Sequence, residues 1–583
     1  MKLLVADLNR SGDTNLNAIN NLISKAVWHT KKSFFKAIDC FRWIMRKYFH
    51  AIIIMLIISF NAASKPAFSS VKMLSTTVGI GTGQSGVLTG FNPLVTTTEA
   101  AASIESLLYY PLIYVDKNGH IDFKKSIASE VKVSKSQLTY TITMHKGWMW
   151  SNGDEVTARD VLNCFNEIKE LGALFPNEGL AGIPGNIYGL NIISNHKFVV
   201  QLKKRINPMV FELNGLTLLF PMYNIGRSIK DIVNNVANIK YFRVVDGPYK
   251  ISKYRPGRYL ILTRNTKFSG ARKPLIKTII MHMISGNIIK VMQIISGRLD
   301  IGNVSVYDVG AVKYDNNISL SIKKNGFHGF NFIAFNYNNK KLSFLKDWRV
   351  RSALQQSINQ AEIIKAVFRG FGMPMYGVMT PEDRGLLDAQ VLPYDNVYDP
   401  VHARILLRRA GWVSRNGVQT RNGEKLIINL LCPDKKVDVA EAEMIQEQLH
   451  RIGVIIIIHV VPPSLIVESV RTHKWQAAIM SFATNNIPNV GILLDKSGRF
   501  NFSGYRSTYL DGVFKKIDSS KNNDALKYNM SIMNNFIEKE QPFLILPHPS
   551  VILAYKKYIF GINEAFPTEG GFWPQNLTIN RVS

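Results

Sequence analysis

Cysteine is scarce in this sequence: Cys40, Cys164 and Cys432 are the only three in 583 residues. None stands at a metal-ligand or redox spacing, which excludes a thiolate zinc site and a C-x-x-C centre. Cys40 lies in a segment expected to be removed. The other two are 268 positions apart, one in a predicted helix and one ending the apolar strand IINLLC, so two buried free thiols are expected. A membrane-spanning run is also missing near the N-terminus. The apolar stretch AIIIMLIISF at 51–60 has ten residues, where a bilayer needs about 20. Acidic residues are few, 42 against 71 Lys+Arg, for a net charge of +29. The basic residues are spread along the chain with no zinc-finger spacing and no basic heptads, so they read as a solvated basic surface and not as a nucleic-acid interface. Catalytic signatures are absent as well: no G-x-S-x-G and no H-E-x-x-H occurs. His328, His402, His450, His459, His473 and His548 are isolated from one another in sequence, each a satisfied surface or core residue by default. One glycine motif does occur, G-x-G-x-x-G from Gly81 to Gly86, but Leu88 to Pro93 separate it from the next helix, so a dinucleotide site is not expected.

What is present describes a folded chain of about three to four domain-sized units, 46% hydrophobic and 10% aromatic. Arg46 and Lys47 precede the apolar run at 51–60, and Ala62 and Ser64 supply small residues at a −3/−1 pair, the order of a secretory signal. The signal region is therefore 1–64, with either an unusually long basic leader or a true start at Met45. No cysteine follows the apolar run, which argues against a lipid anchor. Removing nine Lys/Arg and three Asp leaves a mature charge of +23.

Along the mature chain a strand is expected near 73–80, a helix over Glu99–Leu108, a strand over 139–145 and a strand pair at 190–193 and 198–202. Between them stands GWMWSNGDEVTARDVLNCF (147–165): two tryptophans at period two, turn chemistry at 151–154, and Thr157 with Asp160 as a capping-box start. Its acids Asp154, Glu155 and Asp160 could be mistaken for a catalytic cluster; turn and cap duties account for them. The segment 206–245 is helical only in part. A hairpin follows at 246–265, and the next strand is Thr278–Met283. Asp347 caps a helix through Val350, Ala353 and Leu354. Asp399 and Pro400 open another that ends at Gly411, and a helix ending at Gly453 leads into a buried strand. Strand–helix–strand alternation of this kind argues an α/β fold with parallel character.

The segments GWMWSNGDEVTARDV, DGPYKISKYRPGRYLILTRN, SGRLDI, KDWRVRSALQQSINQAEII, YDPVHARILLRRAGW, IQEQLHRIGV and EKEQPFLILPH resemble, in order from about 92 to 560, the extracellular solute-binding proteins of the peptide/nickel type (family 5), the receptor subunits of ABC importers. The resemblance implies a two-lobed periplasmic binding protein type II fold with an inserted subdomain and a ligand cleft between the lobes. Lobe I would hold 71–108, 236–328 and 544–583, the inserted subdomain 109–235, and lobe II 329–543. The chain would cross between lobes near Gly326–Gly329 and near Gln541–Pro542.

In peptide-binding members of that family, an acidic residue in lobe II pairs with the ligand's amino terminus. It follows the strand that here reads WQAAIMSF (475–482). This chain continues ATNNIPNV, with no carboxylate until Asp495. Phe482, Asn485, Asn486 and Asn489 are therefore candidate ligand residues that do not offer a counter-charge to an ammonium. By matching position, Phe91, Asn92 and Tyr110 are candidates at the edge of lobe I, and Tyr376 and Arg384 in the loop after GFGMP. The implied partners are a peptide or peptide-like solute and the permease subunits of an ABC transporter. The protein is expected to be a periplasmic monomer without catalysis, cofactor, metal or nucleic acid. Two other readings remain: a membrane-anchored sensor or chaperone on the same fold, in which the apolar run is retained, and a nucleic-acid-binding regulator, for which 1–70 holds no defensible helix-turn-helix.

Overall fold

A computed structural model describes residues 77–82, 90–95, 99–116, 119–223, 242–284, 286–324, 329–380, 397–488, 490–566 and 572–580, together with Asp231, Val233 and Asp383. The expected signal region and the second half of the glycine motif lie outside these residues. Among the described residues, no helix is long and apolar enough to cross a membrane.

The alternating segments pair into three principal sheets. The largest has seven strands in the order Ile318–Lys323, Val551–Lys556, Ile301–Asn303, Thr77–Thr82, Thr278–Met283, Tyr259–Arg264, Tyr249–Arg255. Thr77–Thr82 runs parallel to both neighbours, and the last two strands form the expected hairpin around Gly257, whose φ of +68° suits a tight turn. The second sheet has five strands, Ile455–Val461, Ile427–Pro433, Ala477–Ala483, Gly329–Phe335 and Leu544–Leu546. Its parallel pair Ile427–Pro433 and Ile455–Val461 is joined by the helix Lys436–His450, a crossover that buries Ala442, Ile445 and Leu449. The third sheet is an antiparallel meander-like set, Ala128–Val133, Thr139–Met144, Lys197–Leu202 and Ile187–Ser194.

The helix starts follow the sequence. Asp347 Oδ1 accepts from Arg349 N at 2.9 Å, and Asp399 Oδ1 accepts from Val401 N and His402 N at 3.0 and 2.8 Å. Gly411 and Gly453 sit at φ +84° where their helices stop. Asp160 Oδ2 takes bonds from Thr157 N (2.7 Å) and Thr157 Oγ1 (3.1 Å) at the start of Ala158–Leu171, which buries Val161, Phe165 and Ile168. The neighbouring acids are likewise spent on structure. Asp154 accepts from Tyr223 OH at 2.6 Å and Asn152 Nδ2 at 2.7 Å, and Glu155 from Gly147 N at 2.8 Å with His196 Nε2 at 2.9 Å. Cys164 and Cys432 are both buried and unbonded. Burial pushes the Cys432 thiol up to about 12 and the Cys164 thiol higher still, which keeps both inert as nucleophiles.

One boundary differs from the expectation. The chain does not leave the five-stranded sheet at Gln541–Pro542. Gln541, at φ +47°, ends the helix Asn523–Glu540, and the Pro542 carbonyl accepts from Tyr337 OH at 2.7 Å. The wholly buried triplet Leu544–Leu546 then pairs with Gly329–Phe335 as an edge strand. The crossing to the seven-stranded sheet falls at 547–550, because three apolar side chains are better buried on that edge than left in a connection. The other crossing lies between Lys323 and Gly329, and Gly326 lies outside the described residues.

The cores divide unevenly. Buried apolar side chains of the four- and five-stranded sheets form one continuous cluster, whereas the seven-stranded sheet keeps two clusters of its own. The inserted sheet is thus packed as a companion of the five-stranded one.

Candidate functional site

The central strand Ala477–Ala483 delivers a short strap, residues 484–488, to the turn Phe211–Gly215. Ala477, Ala478 and Ile479 are buried between Ile427–Pro433 and Gly329–Phe335, so the start of the strand is fixed. Phe482, near its end, is half-buried with its ring 5.9 Å from that of Phe330. Thr484 opens the strap, and its Oγ1 is buried with no hydrogen-bond partner among the described residues, a polar atom that protein interiors rarely leave unmet. The half-buried Asn485 makes no side-chain hydrogen bond to a described residue. Asn486 Nδ2 donates to the Leu213 carbonyl at 2.8 Å. Ile487 is gripped by one side chain from both directions: its N–H donates to Asn214 Oδ1 at 3.0 Å, and its carbonyl accepts from Asn214 Nδ2 at 2.8 Å. Asn489 lies outside the described residues.

Phe482 thus stands near the end of the strand, Asn485 and Asn486 stand on the strap that follows it, and Phe91, Asn92, Tyr110 and Tyr376 belong to other segments of the chain. Phe91 is fully buried against Phe242 and Tyr254 (ring centroids 6.0 and 5.1 Å) in a core of the seven-stranded sheet. Asn92 is fully buried in a turn, where its Oδ1 accepts from Leu94 N at 3.0 Å. Both are structural residues in this arrangement. Tyr110 is buried among Trp148, Phe268 and Trp573 (5.2, 5.2 and 6.0 Å), and its N–H donates to Asp246 Oδ1 at 3.1 Å. Burial, with Tyr114, Asp122 and Asp246 nearby, holds its phenol neutral. Tyr376 is half-buried beside Met375, whose backbone is held by Gln360 at 2.8 and 2.5 Å. Arg384 lies outside the described residues.

Sequence reasoning missed Thr484, Leu213 and Asn214. Thr484 adjoins the candidates, and its burial carries no sequence signal. Asn214 is 273 positions from Ile487 and sits in the irregular turn Phe211–Gly215, a single π-helical turn of the kind often kept at functional positions.

The charge on the strap is as the sequence implied: it offers amides and a hydroxyl and no carboxylate. The nearest acid in the gripping turn is Glu212, which burial pushes up to about 7. A carboxyl whose folded value is raised stabilises the fold below its unfolded value of about 4.5, and that contribution is lost as pH rises through about 7. Glu212→Gln is accordingly expected to raise the melting temperature at pH 8 and leave it nearly unchanged at pH 4.5. Thermal unfolding of both proteins at the two pH values measures this, and parallel curves would contradict it. Among the described residues, no group of three His, Cys, Asp or Glu is placed to hold a metal ion.

Comparison with known proteins places this arrangement. The family model described as bacterial extracellular solute-binding proteins, family 5 Middle, matches residues 122–501. The oligopeptide-binding protein AppA of Bacillus subtilis is 25% identical over 495 residues, 82% of this chain and 88% of that protein. The structure of AppA in complex with a nonapeptide has the same fold, with a TM-score of 0.72 at 21% identity, covering 87% of this chain and 99% of that one. NikZ of Campylobacter jejuni in complex with Ni(L-His) shares it too, with a TM-score of 0.69 at 20% identity over 84% and 96% of the two chains.

Proposed function

Since the chain belongs to the bacterial extracellular solute-binding proteins, family 5, we propose that it captures a peptide or peptide-like solute between two lobes and hands it to the permease subunits of an ABC importer. The observation that carries this reading is the family match itself, which runs from the inserted sheet through the strap at 484–488. In this reading lobe I comprises 71–108, 236–328 and the chain from 547 onward. The inserted subdomain is 109–235, and lobe II is 329–546, the boundary moved to follow the edge strand Leu544–Leu546. Ligand favours the closed arrangement to the extent that it binds that arrangement more tightly than the open one. The protein acts in the periplasm as a monomer, after removal of 1–64, and carries out no reaction on its ligand. N-terminal sequencing of the exported protein separates this from an anchored form: a start near Lys65 supports it, and retention of the 51–60 run contradicts it.

The ligand's chemistry follows from the strap. An asparagine accepts a hydrogen bond from an ammonium but does not neutralise it, and a buried ammonium without a counter-charge is costly. The solute is therefore held without a free α-amine as its anchor: a neutral or anionic compound, or a modified or sugar-linked peptide. Titration calorimetry of the mature protein tests this with matched di- to pentapeptides, free and N-acetylated. The expected result is no advantage for the free amine; tight binding of ordinary free-amine peptides, lost on acetylation, would overturn it.

A further inference from the structure

The grip on the strap belongs to a longer seam between the inserted subdomain and the five-stranded domain. Asn207, fully buried, donates its N–H to the Asp518 carbonyl at 2.7 Å and its Nδ2 to the carbonyls of Ser520 and Asn522 at 3.1 and 3.2 Å. Its Oδ1 meanwhile accepts from Met209 N at 2.9 Å. Arg205 donates to the Ser519 carbonyl at 3.1 Å, and Gln137 to that of Lys521 at 3.2 Å. In the opposite direction, the Arg499 guanidinium donates to the carbonyls of Ala173 and Phe175. Nearly every acceptor in the seam is a main-chain oxygen, so the seam reads the path of the facing backbone and not its side chains.

Asn214 differs from the other members in where it acts. At 2% exposure, it spends its amide oxygen and its amide nitrogen on the single residue Ile487. Two antiparallel bonds to the N–H and C=O of one residue fix position and orientation together, as a hydrogen-bonded ladder pair does in a sheet. Ile487 in turn follows directly on Asn485 and Asn486, and Asn486 is tied one residue away to the Leu213 carbonyl. The strap is thus registered against the turn Phe211–Gly215 by these three bonds.

We propose that Asn214 is a positioning residue for ligand capture: by clamping the main-chain N–H and C=O of Ile487, it sets where Asn485 and Asn486 stand, so the inserted subdomain determines the shape of the ligand strap. This rests on the reading that the strap touches the ligand. The seam gives the inserted subdomain a part in binding without contributing a contact residue.

The test uses Asn214→Ala and Asn214→Asp in the mature protein, with Asn191→Ala, exposed on the edge strand Ile187–Ser194 of the four-stranded sheet, as a control. Amide hydrogen exchange at Ile487 reads the clamp directly. Native mass spectrometry against an equimolar pool of N-acetylated tripeptides reads binding, and melting temperature reads the fold. The expected result for Asn214→Ala is Ile487 exchange faster by about 100-fold and pool binding weaker by about 10-fold, with the melting transition kept. Asn214→Asp, which keeps the acceptor for Ile487 N and loses the donor, should fall between that variant and wild type. Unchanged exchange at Ile487, or faster exchange with undiminished binding, would overturn the proposal. A wild-type protein that binds nothing from the pool while its Ile487 exchange still depends on Asn214 would overturn the reading that the strap takes an amine-blocked peptide, on which the proposal rests, and leave the clamp as structure alone.

Discussion

Asn485→Asp is expected to give the protein a preference of about 10-fold or more for a free-amine peptide over its N-acetylated twin, where the wild type shows none. Asn485 is half-buried on the strap and makes no side-chain bond to a described residue, so the new carboxylate loses no existing partner. Asp495, the next acid in the chain, is committed to its own turn, where its Oδ1 accepts from Ser497 N at 2.8 Å. A hydrogen bond between charged groups contributes about 1.5–3 kcal/mol, which corresponds to roughly 10- to 100-fold in affinity. The check is the ratio of dissociation constants for the peptide pair in both proteins. A wild type that already prefers the free amine, or a variant that does not, would contradict the argument. The effect should weaken only slightly with added salt, since a partly buried pair is screened less than an exposed one.

Arg351→Ala is expected to lower unfolding stability by about 3–5 kcal/mol, as breaking a buried charged network does. Arg351 is 2% exposed and lies at the start of the helix Trp348–Gln356. Its Nε donates to the carbonyls of Glu540 and Gln541 at 2.8 and 3.0 Å, and its NH1 to those of Leu345 and Lys346 at 2.7 and 3.1 Å. NH2 reaches Glu540 Oε2 at 3.3 Å, and the guanidinium carbon stands 5.8 and 5.9 Å from the ring centres of Tyr337 and Tyr505. Removing it leaves several buried acceptors without donors just before the chain returns to the edge strand Leu544–Leu546. Arg351→Lys keeps the charge but not the planar fork, so it should also destabilise, though less. Urea unfolding followed by tryptophan fluorescence gives the difference; a loss below about 1 kcal/mol for the alanine variant would show that the network carries little.

Much of the fold was legible because the deciding signals were local. Asp347, Asp399 with Pro400, and the glycines at 411 and 453 mark helix ends wherever the rest of the chain lies, and the structure places those ends there. The hairpin was readable at 246–265, and the resemblance to the family located the strand that carries Phe482. The missing acid on the strap was readable for the same reason, as a matter of residue identity. What escaped depends on long-range placement. Leu544–Leu546 reads as a buried triplet in sequence, but which sheet buries it depends on a partner strand more than 200 residues upstream, Ile333 facing Leu544 and Asn331 facing Leu546. Phe91 and Asn92 were expected at a cleft edge, and three-dimensional packing puts one in the core and the other in a turn. The irregular turn Phe211–Gly215 has no periodicity to read, and that turn supplies the clamp on Ile487.

Native mass spectrometry of the protein purified from its own host tests the central claim most directly, because a receptor that captures its solute by closing around it retains that solute through purification. The account predicts a bound small molecule of peptide-like composition, released on denaturation, whose amino terminus is blocked or absent. A protein that carries ordinary free-amine peptides would contradict the reading of the strap, and one that turns over a bound substrate would contradict the assignment as a receptor.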